Sequence, residues 1–119
     1  MVYEMVDIAH GGLGDHERRR EMAEESRLEA KLVRAARATG GLALKFISPG
    51  YDGVPDRVLL IATGHISFVE VKARGKKPRP LQLSRMRRLE SLGFRTFVLD
   101  DESQIGTIIE ETMKGGDGR

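Results

Sequence analysis

The alternation of apolar and polar side chains divides the chain into seven elements. Residues 21–39 (EMAEESRLEAKLVRAARAT) are rich in helix formers, with Leu28, Leu32, Ala35 and Ala36 recurring at helical spacing. Gly40 and Gly41 supply the stop. Three strands are predicted next, over 42–47, 57–62 and 66–72, and Thr63-Gly64-His65 fits a hairpin loop between the last two. A Gly- and Pro-rich loop, 48–55, precedes the second of them. Pro80 opens a helix running to about Leu92, Gly93 ends it, Phe94–Leu99 reads as a fourth strand and Glu102–Met113 as a last helix. The order α-β-β-β-α-β-α implies an α/β or α+β sheet of about four strands with helices on its faces. The glycines at 11, 12 and 14 and the charge run 15–20 read as a flexible tail over 1–20, and 114–119 as another, leaving 21–113 as the folded domain.

Composition narrows the classes. In 119 residues there is no Cys, which excludes disulfides, thiolate metal sites and cysteine nucleophiles. No apolar run approaches the ~20 residues of a membrane span, and the first twenty residues lack the pattern of a secretory signal. A cytoplasmic protein with no membrane role is expected. The net charge of +2 conceals a segregation. Residues 1–30 carry eight acids and four bases, 31–88 three acids and thirteen bases, and 89–119 seven acids and three bases. A cationic middle lies between two acidic ends, which the sequence suggests face away from a polyanionic partner.

The chemistry concentrates in that middle. In Phe68-Val69-Glu70-Val71-Lys72 strand alternation puts Phe68, Glu70 and Lys72 on one face and the valines on the other. A half-exposed strand with a simple ion pair would account for Glu70 and Lys72 alone. The predicted hairpin, however, brings Asp56 to the level of Glu70–Lys72. Asp52, Asp56 and Glu70 are the three acids of the cationic segment, so two of the three converge. Two such carboxylates repel unless a cation lies between them, and Mg²⁺ takes hard oxygen ligands. Arg74, Lys76, Lys77, Arg79, Arg85, Arg87 and Arg88 add seven positive charges with no acid among them. This fits phosphate-backbone contact without base readout. With no Trp, two Tyr and four Phe there is little material for stacking single-stranded bases. His10, His16 and His65 form no ligand cluster in sequence.

Asp56 followed by Glu70-Val71-Lys72 resembles the PD-(D/E)xK nuclease signature, with Pro55-Asp56 as the literal PD. The stretch KFISPGYDGVPDRVLLIATGHISFVEVKARGKKPRPLQ is similar to the virus-type replication-repair nuclease (VRR-NUC) domain, and the similarity runs from about Glu29 to Asp100. The resemblance implies a restriction-endonuclease-like core with a mixed sheet. It implies Asp56, Glu70 and the Val71 backbone carbonyl as ligands of Mg²⁺ or Mn²⁺, and Lys72 as the catalytic cation. It places Gln82 beside the metal and Glu29 as a first-helix acid, with Glu25 one turn earlier as the alternative. It implies phosphate contacts from Lys45, with Arg74, Lys76, Lys77, Arg79, Arg85 and Arg88 as the other candidates. The expected activity is a structure-selective DNA endonuclease acting on branched or duplex DNA. By family analogy it would cleave four-way (Holliday) junctions as a homodimer, in recombination or repair, needing no small-molecule cofactor.

Overall fold

The computed structural model describes residues 14–114. Helix α1 spans Asp15–Ala38. Strands β1 (Leu42–Lys45), β2 (Arg57–Ile61) and β3 (His65–Val71) follow. Then come α2 (Pro80–Ser91), β4 (Arg95–Leu99), a 3₁₀ turn (Glu102–Gln104) and α3 (Ile105–Lys114). The sheet order is β1-β2-β3-β4, antiparallel except for the parallel pair β3–β4, so the sheet is mixed as expected. The α2 segment is the crossover that a parallel pair requires.

Both faces of the sheet are used. Leu59, Val69, Val71 and Leu99 meet Leu28, Leu32 and Ala36 of α1 and Ile105, Ile108 and Ile109 of α3 in one core. On the same side Ser67 and Thr112, both fully buried, satisfy each other through a 2.7 Å hydroxyl bond. The opposite pleat presents Phe68, Glu70 and Lys72 toward α2. There Phe68 packs between Phe46 and Phe94. The β1–β2 half of this face is left open, with Leu42 46% and Leu44 44% exposed.

The element boundaries correct the sequence reading in two places. The expected tail over 1–20 is helical from Asp15 onward; residues 1–13 and 115–119 lie outside the described residues, and Lys114 belongs to α3. Gly14 stays extended as the N-cap, its carbonyl accepts from Arg18 N, and Asp15 and Glu17 in the first turn complement the helix dipole. Strand β1 is two residues shorter than expected, ending at Lys45, although the Phe46 N–H still reaches the Asp56 carbonyl at 2.9 Å. The hairpin is formed as predicted, with Thr63 (φ 67°) and Gly64 (φ 82°) both left-handed as tight hairpin turns demand.

Candidate active site

The hairpin register sets the site. Arg57 pairs with Val69, so Asp56 stands at the end of β2 level with Glu70. Its Oδ2 accepts the Val71 N–H at 2.8 Å. The preceding loop is pinned onto α2. Gly53 (φ +90°) lies so close to Leu81 that an added Cβ would sit 2.8 Å from Leu81 Cγ. Arg85 Nε donates to the Asp52 carbonyl at 2.6 Å and its guanidinium stacks 3.9 Å above the Tyr51 ring.

Glu70 is the centre of the cluster. It is 1% exposed, yet only one of its oxygens is engaged: Oε2 accepts from Gln82 Nε2 at 2.7 Å and faces Lys72 Nζ at 3.5 Å. Glu70 Oε1 is buried with no hydrogen-bond partner. Gln82 is itself fixed, since its Oε1 accepts from Arg79 N at 2.8 Å at the start of α2. Glu25 enters from α1, on the opposite face of the sheet, and its Oε2 accepts from Ala73 N at 3.2 Å. Acids from three separate elements therefore crowd around one lysine.

No family model matches the chain. A solved structure described as a VRR_NUC domain superposes with a TM-score of 0.69 at 34% identity, covering 73% of this chain and 95% of that one. "Putative nuclease p44" of Acyrthosiphon pisum secondary endosymbiont phage 1 is 47% identical over 81 residues, 68% of this chain and 87% of the phage protein. The chain belongs to the VRR-NUC family.

The VRR-NUC core explains the electrostatics of its strand ends. Burial pushes the Glu70 carboxyl up to about 7, the neighbouring Asp56 adds to this, and Lys72 opposes it. Asp56 is raised by burial and partly restored by the Val71 N–H; Glu29 raises it further, and Lys72 and Lys45 pull it down. Glu25 is raised by burial too, with the Ala73 N–H and Lys72 opposing. A cation among these acids would reverse all three shifts. Among the described residues no three His, Cys, Asp or Glu side chains form a ready-made metal cage. Mg²⁺ does not need one, since it binds through one or two carboxylates and retains waters. The unpartnered, buried Glu70 oxygen beside a second carboxylate fits that donor chemistry.

The remaining candidate residues divide. Glu29 lies near enough to Asp56 to raise its carboxyl, but it is held in a fork: Arg57 Nε and Nη2 each approach its Oε1 at 2.8 Å and Lys45 Nζ at 3.4 Å. Glu25, not Glu29, is the first-helix acid that reaches the backbone next to Lys72. Helical spacing does not separate the two, since Glu25 lies three residues before buried Leu28 and Glu29 three before buried Leu32. Of the expected phosphate contacts, Lys77 and Arg79 are exposed and unpaired among the described residues, but Arg85 is spent on the 48–55 loop. Among the described residues Arg88 reaches only Ser91, within its own helix.

The acidic ends do not face away from the basic loop. Glu21 pairs with Lys76 at 3.1 Å, Glu24 accepts from Arg74 N at 3.1 Å, and Asp100 and Asp101 hold Gly75 N and the Arg74 guanidinium. Among the described residues Gln82 is the neutral side chain that holds Glu70. Gln82→Ala is therefore expected to reduce cleavage about 10–100-fold, as loss of a partner that orients a metal-binding carboxylate does, with a smaller effect on DNA affinity. Single-turnover cleavage and equilibrium binding measured in parallel check this.

Proposed function

We propose that the chain is a metal-dependent, structure-selective DNA endonuclease that hydrolyses phosphodiester bonds, cleaving four-way junctions as a homodimer. The observation that carries this reading is the buried Glu70 carboxylate, with one oxygen clamped by Gln82 and Lys72 and the other without a partner. Asp56, Glu70 and the Val71 carbonyl, with Glu25 or Glu29 from α1, would hold Mg²⁺ or Mn²⁺. Such an ion supplies a water of lowered pKa and charge neutralisation at the phosphate.

The chain's own residues do the rest. Gln82 fixes the Glu70 oxygens, and the Val71 N–H fixes those of Asp56. Lys72, 16% exposed in its side chain, holds a compact positive charge where negative charge develops as water oxygen bonds to phosphorus and the bridging oxygen departs. Arg79 adjoins the cluster through Gln82, and exposed Lys77 lies two residues before it; both suit backbone phosphates, which position a duplex without reading its sequence. The open β1–β2 face supports the dimer, because exposed apolar patches mark association surfaces. In such a dimer two sites related by a two-fold axis face two strands of a symmetric junction.

The test is a cleavage panel with Mg²⁺ and with Mn²⁺ on a four-way junction, a flap, a splayed arm, a linear duplex and a single strand. The expected result is metal-dependent nicking with the junction preferred. Equal cutting of every substrate removes the structure selectivity. No cutting of any of them by folded protein removes the endonuclease assignment.

A further inference from the structure

The charges of α1 are sorted by face. At about 100° per residue, Glu17, Glu21, Glu25 and Glu29 repeat every four residues beside the buried line Leu28–Leu32–Ala36. Like charges at that spacing destabilise an isolated helix. From Glu21 onward the neighbouring elements answer them: Glu21 meets Lys76, Glu25 accepts from the Ala73 amide and Glu29 meets Arg57, while adjacent Glu24 accepts from the Arg74 amide.

The outer face has the reverse sign. Arg20, Arg27 and Arg34 repeat every seven residues, which keeps them on one face with a drift of about 20° per step. Arg19 and Arg37 border them. All five arginines are exposed. None makes an ion pair or side-chain hydrogen bond among the described residues, although other α1 charges do. A surface helix selected for solubility intersperses both signs. On α1 Glu17 and Glu24 border Arg20 and Arg27, Glu21, Glu25 and Glu29 turn toward the neighbouring elements, and the arginines continue outward as a row of about 20 Å.

We infer that the outer face of α1, through Arg20, Arg27 and Arg34, is a second phosphate-binding surface that takes a nucleic-acid arm diverging from the one held at the catalytic cluster. It lies on the far side of the sheet from Arg79 and α2, and Glu25 ties α1 to the cluster at the level between Arg20 and Arg27. A linear duplex lying along α2 leaves this stripe empty. A branched substrate whose arms separate at the cluster reaches both. The inference rests on the reading that the substrate is nucleic acid, and it supplies a physical source for junction preference.

The test uses the full chain in EDTA, so that nothing is cut, with a four-way junction and a short linear duplex as probes. Arg20→Ala/Arg27→Ala/Arg34→Ala is expected to weaken junction binding about 10–100-fold and to lower the slope of log affinity against log salt by up to about 3. The change on linear duplex is expected to stay within about threefold. The corresponding triple lysine variant restores junction affinity, since it keeps the charge. Matching thermal melting of all three proteins shows that the fold is intact. Unchanged junction affinity overturns the inference. So does an equal loss on both probes, which reports bulk charge, and so does a wild-type chain that binds neither probe. A chain that binds the junction through the stripe but cuts nothing in the metal panel sinks the endonuclease reading and leaves this one standing.

Discussion

Lys72→Ala is expected to lower phosphodiester cleavage by about 10²–10³-fold, roughly 3–4 kcal/mol of transition-state stabilisation. Its ammonium is the one cation at 3.5 Å from the buried Glu70 carboxylate, and no other basic side chain among the described residues pairs with that group. In the proposed reaction, removing it would take positive charge from the point where the phosphate becomes more negative. DNA affinity should change little, because Lys77 and Arg79 remain. Single-turnover cleavage of the junction at saturating protein reads the chemical step directly. A variant that cuts at the wild-type rate refutes the role given to Lys72.

The second large effect concerns stability rather than rate. Glu70 has its carboxyl raised to about 7 from an ordinary value of 4.5. Below about pH 4.5 the folded and unfolded chains both carry it protonated, and burial costs nothing extra. Between 4.5 and 7 the unfolded chain releases the proton and the folded chain keeps it, so stability from this group falls as pH rises. Above 7 the loss is complete, on the order of 3 kcal/mol. Glu70→Gln removes the charge and keeps an amide of the same shape. In the absence of metal it should therefore stabilise the protein by about 2–3 kcal/mol at pH 8 and hardly at all at pH 4.5. Urea unfolding at the two pH values tests this, and equal midpoints for wild type and variant at pH 8 contradict it. Mg²⁺ or Mn²⁺ should raise the wild-type melting temperature and leave that of the variant nearly unchanged, because only the carboxylate gains from the ion.

The parts of the site that sequence makes legible are those whose geometry is local. Strand alternation and a short hairpin are enough to bring Asp56 to Glu70 and Lys72, and the scarcity of acids between residues 31 and 88 isolates them. Gln82 comes from family likeness, since nothing in its own neighbourhood marks it. The choice between Glu25 and Glu29 depends on which α1 turn meets a loop 48 residues further along the chain, and helical spacing allows both. Arg85 has the composition of a phosphate contact, but the Asp52 carbonyl and the Tyr51 ring claim it. The early start of α1 has a similar cause. Residues 15–20 bury nothing, so no apolar periodicity announces them, and the helix propagates through them from the docked turns that follow.

The hydrogen bond from Val71 N to Asp56 Oδ2 also bears on how the site can vary. In a hairpin that ran one step further, that N–H would be met by a backbone carbonyl of the partner strand. A side chain takes its place, and Pro55, which has no N–H to offer, precedes it. One carboxylate thus closes the ladder and, in the proposed reaction, would also hold the metal ion. Asparagine at position 56 keeps an acceptor for Val71 while removing the charge, whereas alanine unfastens the strand ends as well. The ladder's end and the proposed chemistry at this corner share a single side chain, so a substitution at position 56 acts on both.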